Sequence, residues 1–374
     1  MKKVCVFCGE KPEAKEKEHV IPLWLIEMTG DPNRIAAFGL DFPRTPSVRK
    51  FAFDQLTFPA CSGCNRAFGT LEEKVKPIVT RLLADQAASS SDFLLLLDWL
   101  DKVRVGLWLG YLYLDKNPLG IDPTFYVGHR VAQLDRMVAI IRIADKLDSL
   151  SFTGPEFKGY QLSPTCLGLR VNGLFLLNAS GIGVCSHRLG FPYVEPVSFN
   201  NDRKLEVISK NGSGRIMRPV NRELNVLRAS TLYQPIFRNL LAFQDANRLL
   251  ASEWVREHAE DLAAGQGKLF METSESVELY PDEPTLKWIP SGSWDMLEVM
   301  RMPCRVQGYI HRNYQKSIPL FSSKEERKQV RIQATMTGRL DRAVLRISER
   351  RIRELEMARE KGEEVMFNRV VLSK

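Results

Sequence analysis

The sequence lacks any apolar stretch that runs the length of a membrane span free of charge. Its longest, Phe93 to Leu114, is interrupted by Asp98, Asp101, Lys102 and Arg104. A bilayer helix does not usually carry four charges near its middle, so this stretch reads as a buried helix of a water-borne protein. The chain also lacks an even set of cysteines. It has 7, so a disulfide framework is not the reading, and reduced thiols in the cytoplasm are expected. Met1-Lys2-Lys3-Val4-Cys5 has no apolar signal core, which agrees with a cytoplasmic protein. Nor is there an acidic excess. Lysine and arginine number 53 against 45 acidic residues, a net charge of +8 that leans toward an anionic partner such as nucleic acid.

Four of the cysteines stand in two pairs, Cys5-Val-Phe-Cys8 and Cys61-Ser-Gly-Cys64. Each pair offers two thiolates from one tight turn, and two pairs complete a tetrahedron around zinc. A complete tetrahedron has no open position for water. The zinc is therefore expected to be structural, and any catalytic metal must be a second ion. Closing the chain on that zinc draws the surroundings of His19 toward those of Asn65. Cys166, Cys185 and Cys304 lie among apolar residues without ligand spacing and read as core.

Histidine is scarce, with 5 in the chain. His19 stands out because Glu18 precedes it and Val20-Ile21-Pro22 follows, close after the first cysteine pair. A neutral imidazole can take a proton from water at physiological pH. His129, His187, His258 and His311 lack such a setting and read as structural or exposed.

At 374 residues the chain is long enough for two or three units. Residues 1–80 read as the first, with short strands at Val4 to Phe7 and Arg49 to Phe53. A helix is expected after Cys64, with Phe68, Leu71, Val75 and Ile78 on one face. Residues 81–150 read as a helical region, opened by Ser-Ser-Ser-Asp as a cap ahead of Phe93 and resumed at Val131 to Ile143. Residues 151–374 mix strand and helix. Cys166 to Leu177 is expected to be a hairpin turning at Asn172-Gly173. Tyr233 to Ala264 is expected to be helix, and Ser276 to Tyr280 and Val306 to Ile310 strands. Asp341 to Glu363 reads as a basic helix laced with glutamates, burying Leu345, Ile352 and Met357. Trp99, Trp108, Tyr111 and Tyr113 read as core of the apolar helix.

Glu18-His19-Val20-Ile21-Pro22 set between two C-x-x-C pairs, the second running into Asn65, resembles the HNH endonuclease family of the zinc-stapled ββα-metal type. The resemblance covers residues 1–80. It implies an α+β chain with an N-terminal zinc-bound ββα-metal module, treble-clef-like, followed by a larger mixed α/β region that targets or regulates. It also implies that His19 is the general base and that Glu18 and Asn65 hold a catalytic Mg2+ or Mn2+, while Cys5, Cys8, Cys61 and Cys64 hold structural zinc. Double-stranded DNA is the implied substrate, in restriction or antiviral defence. The family's middle asparagine has no match in Asp54 to Pro59, leaving Asp54, Gln55 or the more distant Asn33 to orient His19. Glu72, two helical turns beyond Asn65 on the same face, reads as an ordinary exposed acid. Two alternatives stay open: a non-catalytic zinc-stabilised nucleic-acid-binding protein, and a nuclease effector held inactive until its C-terminal region binds a signal ligand or partner protein.

Overall fold

The computed structural model describes residues 4–12, 16–38, 41–42, 45–46, 49–52, 57–114, 135–143, 150–181, 189, 191, 193–199, 205–210, 230–236, 253–272, 277–284, 296–317 and 323–361. The fold is mixed α/β. Its first elements are β1 (Glu16–His19), α1 (Leu23–Met28), β2 (Ile35–Phe38), β3 (Asp41–Phe42), β4 (Thr45–Pro46), β5 (Arg49–Ala52) and β6 (Thr57–Ala60). Two helices follow, α2 (Ser62–Leu83) and α3 (Ser90–Leu114). Strand β1 pairs antiparallel with β6, His19 opposite Thr57 and Glu16 opposite Ala60. Two smaller ladders, β2 with β5 and β3 with β4, fill the interval.

Helix α3 starts on a reciprocal cap, since the Asp92 amide donates to Ser89 Oγ at 3.2 Å and the Ser89 amide to Asp92 Oδ2 at 2.9 Å. It is then buried on nearly every side, including Phe93, Leu96, Trp99, Leu100, Leu107 and Trp108. A helix apolar all round belongs in an interior, and each fully buried Leu or Val contributes about 1.5–3 kcal/mol.

The remaining elements are β7 (Asp135–Arg142), β8 (Leu150–Thr153), α4 (Lys158–Leu162), β9 (Cys166–Val171), β10 (Leu174–Gly181), β11 (Tyr193–Phe199), β12 (Leu205–Lys210) and β13 (Ser230–Pro235), then α5 (Glu253–Glu257), β14 (Ala259–Asp261), β15 (Gln266–Gly267), β16 (Phe270–Glu272), β17 (Val277–Leu279), α6 (Met296–Ser317) and α7 (Lys324–Glu360). A seven-stranded sheet in the order β17-β16-β13-β7-β10-β9-β8 organises this part, with every neighbour antiparallel. One face, with Val138, Ile140, Leu169 and Leu176, joins the core that contains α3. The other, with Met137, Ala139, Ile141 and Leu177, joins Val299, Met302, Val306 and Tyr309 of α6.

That arrangement corrects several sequence expectations. The segment from Asp135 to Arg142 is strand, not helix: covered on both faces, it reads as a continuous apolar run from which no period of two can be picked out. Val306 to Ile310 is helix, because Met302, Val306, Tyr309 and Ile310 recur at helical spacing against the sheet. Tyr233 lies in β13, and the described helix between it and Ala264 is only Glu253–Glu257. Val4 to Phe7 is not strand: the chain enters a turn at Val6, with one ladder-like bond from the Val6 amide to the Pro59 carbonyl at 3.0 Å. Met357 is exposed on α7 and Leu345 only partly buried; the side chain of Ile352 lies outside the described ones. The hairpin β9–β10 turns where expected, with Asn172 at φ 50, in the left-handed region that asparagine tolerates. Trp99, Trp108 and Tyr111 are core, as are Cys166 and, partly, Cys304. Cys185, His129, His187, Asp54, Gln55 and the burial of Tyr113 lie outside the described residues. No helix among the described residues is long and apolar enough to cross a membrane.

Candidate metal centre and the carboxylate pair beside it

The first cysteine pair is shaped by a tight turn. The Gly9 amide donates to the Cys5 carbonyl at 2.9 Å, with Gly9 at φ 82, where glycine is favoured. The second pair sits at the start of α2, with Cys61 as its N-cap. The ladder between β1 and β6 and the bond from Val6 to Pro59 carry one pair to the other. The sulfurs of Cys5, Cys8, Cys61 and Cys64 all lie within 4.8 Å of one another, and Cys8 Sγ stands 3.8 Å from Cys61 Sγ. Four sulfurs about 2.3 Å from a tetrahedral zinc are about 3.8 Å apart, so the spacing fits that ion. The Cys64 amide donates to the Cys61 sulfur and draws its pKa down, while burial pushes the Cys8 and Cys64 thiols up. Four sulfurs so placed could hold a metal ion such as zinc.

Beside this cluster β1 lies along α2. The Asn65 amide faces Glu16, Nδ2 to Oε2 at 3.5 Å. Glu18, two residues on, turns to a different partner: Lys102 of α3, whose Nζ donates to Glu18 Oε1 at 2.8 Å. The same ammonium donates to Glu72 of α2 and, at 3.3 Å, to the backbone carbonyl of His19. Lys102 is fully buried, and the two carboxylates are 12% and 13% exposed. Phe7, from within the first cysteine pair, packs on Phe68 of α2 with ring centroids 4.5 Å apart. The ammonium lies 5.6 Å and 5.8 Å from those two rings. Burial pushes the Glu72 carboxyl up to about 7, against the opposing pull of Lys102.

The structure thus brings Glu18 to Glu72, and Asn65 to Glu16. His19 ends β1, half-buried, and its carbonyl completes a three-oxygen cradle with the carboxylates. Two carboxylates and a carbonyl aimed at one point suit a hard cation. The cation they hold is the ammonium of Lys102. Asn33 is exposed in the turn after α1, its amide bonded to Asp31 Oδ1 at 2.9 Å. Sequence reasoning gave Lys102 no role and took Glu72 for an exposed acid, whereas Glu72 is largely buried and paired with Lys102. One signal was available for the first: a lysine inside an otherwise apolar helix must be buried, and buried lysines are almost always paired.

Lys102 is fixed from behind. Its neighbour Asp101 binds Arg136 of β7 at 2.9 Å and Arg104 at 2.8 Å, and Asp98 binds Arg136 at 2.6 Å. Arg104 donates to Asn178 of β10, and Arg136 Nε to Gln234 of β13 at 2.7 Å. This buried ionic row joins α3 to the central sheet. The fold and the site define a mixed α/β protein with a four-cysteine cluster that could hold a metal ion such as zinc. No protein-family profile, curated protein or solved structure matches the chain.

Proposed function

We propose that this chain is a metal-dependent HNH endonuclease that hydrolyses phosphodiester bonds, with double-stranded DNA as substrate. Two antiparallel strands followed directly by a helix, β1, β6 and α2, match the ββα order of that family, and the four cysteines are the structural zinc clamp. The observation that carries the reading is the convergence of Glu18, Glu72 and the His19 backbone carbonyl on one cation position, held by Lys102. Glu18 and Glu72 are the residues that would hold Mg2+ or Mn2+, with Asn65 turned toward Glu16. That ion would supply positive charge to offset the charge developing on the phosphate and leaving oxygen. His19 takes the proton from water, the water oxygen attacks phosphorus, and the bond from phosphorus to the leaving oxygen breaks. The zinc cluster takes no part in this chemistry, because its four sulfurs fill the coordination sphere.

Plasmid nicking in Mg2+ or Mn2+ tests the reading. The wild-type chain is expected to nick, and His19→Ala to lose about two to four orders of magnitude in rate. Equal nicking by the two proteins would overturn it.

A further inference from the structure

We infer that Lys102 is the resident cation of the candidate ion site, and that a divalent ion enters the cradle of Glu18, Glu72 and the His19 carbonyl only as the Lys102 ammonium leaves it. The inference rests on the nuclease reading in one respect, that this cradle is the place of the working ion.

The geometry makes the two occupants exclusive. The ammonium hydrogen-bonds both carboxylates and the carbonyl at once, so it stands at the point where their oxygens converge. A divalent ion on the same oxygens would sit at about 2.0–2.2 Å from each, which places it about 5 Å from the ammonium at most. Like charges at that separation, with the lysine side chain fully buried, repel strongly because little water is present to screen them.

Lys102 does not belong to the segment that supplies the cradle. It comes from α3, whose adjacent residues Asp101 and Arg104 are tied to Arg136 and Asn178 of the central sheet. Metal loading is therefore set by how the rest of the chain holds α3.

Mn2+ titration of the zinc-loaded full-length chain, by calorimetry or electron paramagnetic resonance, tests the exchange. Lys102→Met keeps the length and apolar stem of the side chain and removes its charge. It is expected to tighten Mn2+ binding at least ~tenfold, and adding Glu72→Gln to that variant reverses the gain. Unchanged affinity in Lys102→Met, or no Mn2+ binding by either protein, overturns the inference. A purely structural lysine would give unchanged affinity with lower stability.

A second measurement uses the wild type alone. An amine-acylating reagent, read by mass spectrometry, labels Lys102 slowly without ion and at least ~tenfold faster with saturating Mn2+. Labelling that ignores the ion overturns the exchange. Neither experiment contains nucleic acid. Exchange without nicking would sink the nuclease reading alone, and nicking without exchange would sink the role of Lys102 alone.

Discussion

A single buried carboxyl, Glu156, shows how much one residue can carry. Its oxygens accept from the Thr153 hydroxyl at 2.5 Å and the Gly154 amide at 2.7 Å, yet burial dominates and pushes its pKa from 4.5 up to about 7. Asp341 of α7 shifts the same way, to about 6, while accepting from the Lys158 amide of α4 at 2.6 Å. A raised acid pKa means that the folded state holds the proton more tightly than the unfolded one. The stabilisation is complete below the unfolded value and is lost as pH rises through the folded one. Between about pH 5 and about pH 8 the wild type is expected to lose about 3 kcal/mol relative to Glu156→Gln, measured by denaturant unfolding. Parallel stability curves would contradict the assignment. At this scale the cysteines were legible, because C-x-x-C spacing fixes two ligands through one local turn. Lys102 was not legible as a partner of Glu18, since 84 residues separate them and no local geometry relates the two.

Helix α3 shows what decides an element. Its capped start and apolar body were readable, but its depth of insertion depends on two glycines, one facing Val20 just after β1 and one facing Phe58 of β6. A Cβ on Gly106 would lie 2.8 Å from Val20 Cγ1, and one on Gly110 would lie 2.6 Å from Phe58 Cε2 and closer still to Cζ. Glycine in a helix interior costs about 1 kcal/mol, and close approach is what the chain gains for it. Gly110→Ala should therefore destabilise by about 1–3 kcal/mol despite better helix propensity, because the ring of Phe58 has to move. Thermal or denaturant unfolding checks this, and a variant as stable as wild type would show that the helix has room. Strand β7 was misread because an element covered on both faces loses the alternation that marks a period of two. Helix α6 was misread because Val306 to Ile310 is too short a window to show the helical spacing that Met302, Val306, Tyr309 and Ile310 share.

Among the described residues, one of the two buried clusters is shared between the N-terminal segment and the central sheet. The buried cluster runs from Cys5, Val6 and Phe7 through Val20 and Leu25, along α2 and α3, and onto the sheet at Val138 and Leu176. Among the described residues the first 80 share this core with the rest, and the four-cysteine cluster closes the end of it that lies opposite the sheet along α3. Zinc binding contributes folding free energy on the order of 10 kcal/mol in small modules. Cys61→Ser is expected to abolish zinc retention and to unfold the N-terminal segment, and metal analysis with a melting curve would show both. A variant with an unchanged melt would remove the clamp from the account. The sequence by itself determined the two cysteine pairs that cluster, the cap of α3 and the hairpin at Asn172-Gly173, because each depends on residues within a few positions of one another. Only the tertiary structure decided that Glu18 meets Glu72 through Lys102, that Asn65 turns to Glu16, and which apolar runs are strands. Those depend on which surfaces the packed core brings face to face, and burial, rather than spacing, sets the partners of a charge that has left water.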